Sequence, residues 1–463
     1  MAELILKDHS GNDVVYEGVK NIKIPTVEGG IQSFVAGEAV ETTVDLAMNN
    51  GDQVIEAEEG KLFYNVTVKK PETLIPANIA SGVDIGGVIG TFKGSGSSTT
   101  SGYTVKVIDY DGTVIAEEKG NSGKVFELPE PPIHSRLVFE GWSSPLDIVD
   151  GTVTIEDFDI IIGATYETAS GATEIDIELN AVTGLTMTFN SKLTGYTSID
   201  WGDGATDSTL THTYADYGEY TIKIHGMTEI ASGSSSSYIA TSACILSIKN
   251  VHLANSVTSI GSYAFYKAQN LRTITVPTSV QSFGTSVFYY CYALRAFVFP
   301  DGMSGTGAYT FNLCYGLNYV VLPASLTTIG NYAFYSCRYL KLVLHKKLTT
   351  IGSDSLRACG MGGEIELPIN ITKIGSGALR ENYDIERIVF NGNVTSIDSY
   401  AFYSCYKCAE YDFSKHTKVP TLANANAFQN IPVLAKILVP VSLYDSWIAA
   451  TNWSTYAKYI VAV

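Results

Sequence analysis

Apolar residues in the C-terminal half of the chain recur in one frame, legible in VTSIGSYAFYKAQNLRTITVP and LTTIGNYAFYSCRYLKLVLHK. Its anchor falls at Ile260, Phe283, Thr306, Ile329, Ile351, Ile374 and Ile397, in steps of 23, 23, 23, 22, 23 and 23 residues. A constant period of this size predicts a solenoid, whose units cannot bury their own apolar faces and gain stability only by stacking. The inward face is read from three repeated positions. Phe265, Phe288, Phe311, Phe334 and Phe402 stand five after the anchor; Leu271, Leu294, Leu317 and Leu340 eleven after; Ile274, Phe297, Val320, Val343 and Ile388 fourteen after. Pro277, Pro300, Pro323, Pro368 and Pro440 close the strands, since proline cannot donate to a ladder.

Strand side chains alternate, so positions thirteen and fifteen after each anchor are expected to point away from the core. They are Thr273 and Thr275, Ala296 and Val298, Tyr319 and Val321, Leu342 and Leu344, Glu364 and Glu366, Arg387 and Val389. Three consecutive coils are apolar where solvent is expected, which makes Ala296, Val298, Tyr319, Val321, Leu342 and Leu344 a candidate binding stripe. The alternative is that a preceding module folds over it. A second candidate surface is the tyrosine row six and nine after the anchors: Tyr266, Tyr289, Tyr292, Tyr315, Tyr335, Tyr403 and Tyr406.

Upstream, AVETTVDLAM, KLFYNVTVKK and YTVKVIDYDGTVIAEE alternate as strands do, the last with a hairpin turn at Asp111-Gly112. GSGSSTTSG, ASGA and SGSSSS have the composition of flexible linkers and divide the chain into residues 1–93, 103–168, 173–230 and 238–463. The tail SLYDSWIAATNWSTYAKYIV has helical spacing, with Ser442 as its expected N-cap, and predicts a cap on the open end of the stack. The fold class expected is mainly β and multidomain: an N-terminal β attachment module, a β-grasp-like module, a β-sandwich and a capped solenoid.

Four segments resemble known families. The pattern I-G-x-x-A-F-x-x-C-x-x-L-x-x-I-x-V-P through residues 238–463 resembles the BspA-like leucine-rich repeat class, found in bacterial surface adhesins and some phage and mobile-element proteins. SIDWGDG followed by HTYADYGEYTIKIHG, in residues 173–230, resembles the polycystic kidney disease (PKD) type of sandwich, which implies Trp201 in its core. Residues 103–168, with LPEPP and FEGW, resemble the Listeria-Bacteroides repeat, a small β-grasp-like spacer. KKPETLIPANIASGVDIGGVIGTFKG, with Pro71, Thr73, Pro76, Asn78, Gly82, Gly87, Gly90 and Thr91, resembles a segment of tail and baseplate-associated proteins of phages from Gram-positive bacteria.

Composition narrows the function classes. Charged residues are 17% of the 463, and 29 tyrosines help fill the deficit, as β-rich surfaces do. The net charge of −17 divides into −7 over residues 1–94, −16 over 95–237 and +6 over 238–463. So negative a first half excludes phosphate-backbone binding there. No run reaches the roughly 18 apolar residues that span a bilayer, and the first 20 residues lack a leader pattern, so assembly in a bacterial cytoplasm is expected. Cys291, Cys314, Cys337, Cys359 and Cys405 sit eight after their anchors and read as a buried ladder rather than disulfides or metal ligands. Asp200, Asp203 and Asp207 read as turn formers rather than calcium ligands, since calcium takes about six to eight oxygens. The seven histidines are dispersed and no catalytic motif stands out, so no catalytic residue, metal or cofactor is assigned.

The leading expectation is a non-enzymatic structural and adhesive component of a phage or phage-like tail, resident in the virion. Residues 1–93 would attach to other tail or baseplate subunits, and the solenoid would bind a bacterial cell-surface protein or glycan. A homotrimer is what the tail resemblance implies; neither nucleic acid nor membrane insertion is expected. The rival is a cell-surface or secreted adhesin of the same repeat class, and a third reading is a glycan-degrading tail enzyme.

Overall fold

The computed structural model describes residues 102–463; within residues 1–101 it describes only backbone strands, such as the antiparallel pair Glu3–Lys7 with Asp13–Glu17. The side chains of Pro71 to Thr91, and the attachment role expected of residues 1–93, lie outside the described residues.

Most solenoid coils contribute two short parallel strands, because a chain that returns to the same place every 23 residues can pair only with its predecessor and successor. One ladder joins the anchors, Ile329 to Ile351, Ile351 to Ile374, Ile374 to Ile397 and Ile397 to Leu422. The other joins the inward residues of the second strand, Phe297 to Val320, Ile388 to Tyr411 and Tyr411 to Ile437. At the degenerate unit the buried Thr306 hydroxyl accepts the Gly330 N–H at 2.9 Å, so a polar anchor is satisfied inside the stack.

Between the ladders each coil turns through left-handed residues three and seven after its anchor, among them Tyr263 and Lys267 (φ 62° and 64°) and Asp354 and Ala358 (φ 47° and 54°). Each such residue costs about 1–2 kcal/mol. The zigzag turns alternate N–H groups along the stack: those of Tyr263, Phe265 and Lys267 reach the carbonyls of Thr285, Val287 and Tyr289, each at 2.9 Å. The cysteine ladder forms as the spacing predicts. Buried Cys314, Cys337 and Cys359 donate their thiols to the carbonyls of Phe288, Phe311 and Phe334 at 3.1, 3.1 and 2.9 Å. Burial pushes these thiols up in pKa, which keeps them protonated donors. Where Asn382 replaces cysteine, its amide donates to the Leu356 and Leu379 carbonyls and its oxygen accepts the N–H groups of Cys359 and Met361.

Both ends of the stack are closed. At the C-terminus a helix, Tyr444–Ala449, a 3-10 turn, Trp453–Tyr459, and a strand, Ile460–Ala462, lay Trp447 and Trp453 over Phe413 and Phe428. The helix is shorter than its sequence pattern suggests and starts after Leu443; Ser442 lies in a preceding 3-10 turn and caps nothing, because the chain is still turning off the strand at Pro440. At the other end, residues 173–230 extend both ladders. Thr173–Leu179 pairs antiparallel with Gly218–His225 on one side and with solenoid strand Ile248–His252 on the other, and Glu229–Ile230 pairs with Ser259–Ile260. One apolar core therefore runs from Ile175 to Ile460, with Trp201 fully buried in it.

Two segments expected as flexible linkers are hydrogen-bonded turns, because the strands they join lie in packed layers. In ASGA, Ala169 N–H reaches the Arg136 carbonyl at 2.8 Å and Ala172 is buried; in SGSSSS, Gly233 N–H reaches the Ser262 carbonyl at 2.7 Å.

Residues 103–168 form a four-stranded sheet in the order Val114–Gly120, Tyr103–Ile108, Ile160–Thr168, Leu137–Ser143. Strand Ile160–Thr168 is buried at all but one position, a pattern that arises when both faces of a strand are covered. Ile160 and Ile162 join the module's own core with Val105 and Val107. Ile161 faces the other way, and what covers it decides the fate of the apolar stripe.

Candidate binding surface

Ile161 and Ile108 close against Val298 and Val321 of the solenoid in one buried cluster, with Tyr319 and Val343 at its rim. Ala296, Val298 and Val321 are 1, 6 and 1% exposed. Gly163 makes the approach possible: a Cβ there would stand 2.5 Å from one Val298 methyl and 2.9 Å from a Val321 methyl. Polar pins surround the seam. Ser143 donates its hydroxyl to the Phe299 carbonyl at 2.6 Å, Ala324 N–H reaches the Ser144 carbonyl at 2.8 Å, and Glu140 accepts from the Thr278 N–H and hydroxyl. The stripe read as a receptor surface is thus covered by this chain's own residues 103–168. Its apolar character reports a contact between modules.

Leu342 and Leu344 do not belong to the outward face at all. The coil from Ile329 is one residue short, and the strand pairing places the loss: Phe297 pairs with Val320 at a spacing of 23, whereas Tyr319 bridges to Lys341 at a spacing of 22. The gap falls between Leu340 and Lys341, and a slip of one residue exchanges the two faces of a strand. Leu342 and Leu344 accordingly turn toward the solenoid core, and Val343, expected inside, meets the Val298–Val321 cluster.

A second polar junction ties three segments at Asp176. Arg136 grips its carboxylate with two bonds of 2.8 and 2.7 Å, Thr221 donates at 2.8 Å and Asn250 at 3.1 Å. Although burial opposes ionisation, these donors hold the Asp176 carboxyl below its usual pKa range. The three aspartates weighed for calcium are occupied as turn acceptors: Asp200 takes the Gly202 N–H, Asp203 the Ala205 N–H and the His212 ring, Asp207 the Thr209 N–H. Among the described residues no group of His, Cys, Asp and Glu is placed to hold a metal ion.

Past residue 344 the outward sheet face is charged. Arg387 bonds Glu364 of the preceding coil at 3.0 Å and Glu410 and Asp412 of the next at 2.6 and 2.5 Å, with Val389 the apolar member beside them.

The tyrosine row is solvent-accessible except at Tyr266, which belongs to the core cluster. Tyr266 is 9% exposed and Tyr289, Tyr292, Tyr315, Tyr335 and Tyr403 are half-buried, while Tyr406 is 56% exposed. Tyr309, Tyr332, Tyr339 and Tyr383 extend it; the first two sit three after their anchors, a repeat position the sequence displayed but the row had not included. Rings stack from coil to coil, Tyr292 on Tyr315 at 5.2 Å, Tyr309 on Tyr332 at 4.7 Å and Tyr383 on Tyr406 at 5.4 Å. Guanidinium groups lie over several of them: Arg338 over Tyr315 (4.9 Å), Arg357 over Tyr335 (5.1 Å), Arg380 over Tyr403 (4.6 Å). Such a flank offers flat rings and fixed donors with little side-chain entropy left to lose.

Residues 239–362 and 340–446 match the BspA type leucine rich repeat region, in six copies. The solenoid is a BspA-type leucine-rich repeat domain. Similar solved structures include a leucine rich cell surface protein from Faecalibacterium prausnitzii, at 19% identity over 47% of this chain and 78% of that one, TM-score 0.29. The pneumococcal vaccine antigen PcpA shares 16% identity over 51% and 68% of the two chains, TM-score 0.33, and the T. pallidum leucine rich repeat protein 22% over 42% and 76%, TM-score 0.25. No curated protein matches the sequence.

Proposed function

We propose that this chain is a non-enzymatic adhesive protein of the bacterial surface type, whose BspA-type domain holds a partner on its tyrosine and arginine flank. The observation that carries the reading is the aromatic and cationic ridge repeated along the coils, on a solenoid whose other apolar face is already occupied by residues 103–168. The partner is a cell-surface protein or glycan. The full chain should bind intact bacterial or host cells, and a Tyr383→Ala, Tyr406→Ala, Tyr292→Ala triple variant with an unchanged melting temperature should bind at least tenfold more weakly. Equal binding by the variant removes the flank.

The tail-component reading keeps one support of its own, the dense match from Pro71 to Thr91. On that reading the chain assembles through residues 1–93 into a virion, as a trimer. Co-purification with tape-measure and baseplate proteins would favour it; recovery from the surface of cells carrying no such genes would remove it.

A further inference from the structure

The short coil does more than exchange two faces of a strand. Beside the short coil lies a shallow notch of about 480 Å³, lined by Gly316, Asn318, Arg338, Tyr339, Leu340, Lys341 and Gly360. On the coil that follows, a Cβ at Gly360 (φ 68°) would stand 2.0 Å from the Arg338 carbonyl oxygen. The stacked pair Tyr292 and Tyr315 leads to the notch, and the Arg338 guanidinium stands over the Tyr315 ring at 4.9 Å. Tyr339 is 68% exposed, the most exposed tyrosine among the described residues.

The arginine of the notch, like Arg272 and Arg295 of the earlier coils, has no ion pair among the described residues, unlike those of the coils that follow. Among the described residues no carboxylate lies within ion-pair distance of Arg338 or Lys341, although most arginines of the coils beyond are paired: Arg357 with Glu381, Arg380 with Glu381, Arg387 with three acids. In a chain of net charge −17, a notch with two cations, an amide and an open ring selects for negative charge. A guanidinium matches carboxylate or phosphate with two parallel bonds, and a tyrosine ring accepts the C–H face of a sugar.

We infer that the notch of the short coil is a binding subsite for an acidic glycan, with Arg338 and Lys341 on the anionic group, Tyr339 under the sugar ring and Asn318 on a hydroxyl. A peptide is the poorer fit, because the one apolar lining residue, Leu340, is itself buried and leaves no side-chain pocket; an acidic peptide, which arginine clusters also hold, is the rival the oligoglutamate probe tests. The inference rests on the adhesive reading and names the ligand class of its flank.

The test titrates the full chain by calorimetry with four probes of matched length: a glucuronate-containing oligosaccharide, a phosphorylated oligosaccharide, a neutral dextran oligosaccharide and oligoglutamate. One or both of the acidic carbohydrate probes should bind, the carboxylate or phosphate arm identifying the anion, with affinity falling as salt rises. Arg338→Ala and Tyr339→Ala should each weaken binding at least tenfold, Lys341→Gln about threefold, and Arg338→Lys should recover part of the loss, all with unchanged melting temperatures. Failure of both acidic carbohydrates to bind, dextran or oligoglutamate binding as tightly, or wild-type affinity in Arg338→Ala would each overturn it. Cell binding that survives Arg338→Ala but not the tyrosine triple variant would sink the subsite and leave the adhesive reading standing; loss of neither would sink both.

Discussion

The two halves of the solenoid's outward sheet face share one backbone and carry opposite chemistry. From Ala296 to Val343 the outward residues other than Lys341 are apolar, and Val298 and Val321 lie under Ile108, Ile161 and Gly163; from Glu364 to Asp412 they are mostly charged and bond one another through Arg387. The boundary falls where residues 103–168 end their reach, near the ion pairs of Lys346 with Glu156 and Lys347 with Asp147. Exposed apolar residues in a repeat protein therefore need to be weighed against the rest of the chain before a partner is invoked. In the covered half, composition records an internal neighbour; in the open half, it records water.

Acid should break both halves, and by the largest margin. Burial holds His252, His345 and His416 down at a pKa of about 4, with Lys347 adding to the effect at His345 and Asp176 and Asp412 opposing it at the other two. The folded value lies below the ordinary 6.5, so the unfolded chain takes up protons first and stability falls as pH drops from about 6.5 toward 4, levelling below that. Each pKa unit is worth about 1.4 kcal/mol, which sets a loss of several kcal/mol for the three together. His252 lies under the cover, edge-on to Tyr110 at 5.7 Å, whereas His416 packs against Phe413 and Trp447 behind the open half. Denaturant melts between pH 7 and 4 would measure the slope. His345→Asn, which keeps an acceptor for the Lys347 N–H, should flatten it; an unchanged slope would assign the effect elsewhere.

A wedge at the seam separates the halves more sharply. Gly163→Leu drives a side chain into Val298 and Val321 and should cost about 3 kcal/mol by overpacking. It should also speed hydrogen exchange in Ala296–Val298 and Tyr319–Val321 while leaving Asp384–Phe390 protected. Uniform loss of protection would mean that cover and solenoid unfold as one unit.

The period of 23, the inward phenylalanines and the cysteine ladder were legible in the sequence because each is set by a coil and its neighbours alone. The covered stripe was legible as apolar but not as covered: docking of Ile161 on Val321 joins residues 160 apart in the sequence, and no local pattern encodes it. The slip at Leu340 was hidden for a different reason. The step of 22 was visible, yet counting from the preceding anchor leaves the site of the missing residue undetermined, and only the bridge from Tyr319 to Lys341 fixes it. Pro323 and His345, 22 apart, hold equivalent places and could have signalled it.

Within the open half, Arg387→Ala should cost about 1 kcal/mol, the scale of a partly exposed ion network. Its side chain is 33% exposed against 13% for Asp412, so the loss should shrink in high salt, whereas that of Gly163→Leu should not. Urea melts at low and high salt would check the contrast, and equal salt dependence would deny that the two faces are held by different forces.

The smallest effect tests a feature the two halves share. Ala358 holds φ 54° at the seventh position of its coil, and Lys267 and Glu381 do the same in theirs. Ala358→Gly relieves about 1–2 kcal/mol of left-handed strain but gives back about 0.4–1 kcal/mol through the freer unfolded chain. Its side chain is only half-buried, so little packing is lost. A net gain of about 0.5 kcal/mol in chemical denaturation is the expected result. A loss instead would mean that the methyl group packs usefully between coils, and that the zigzag is held by side-chain contacts as well as by the N–H groups it turns toward the next coil.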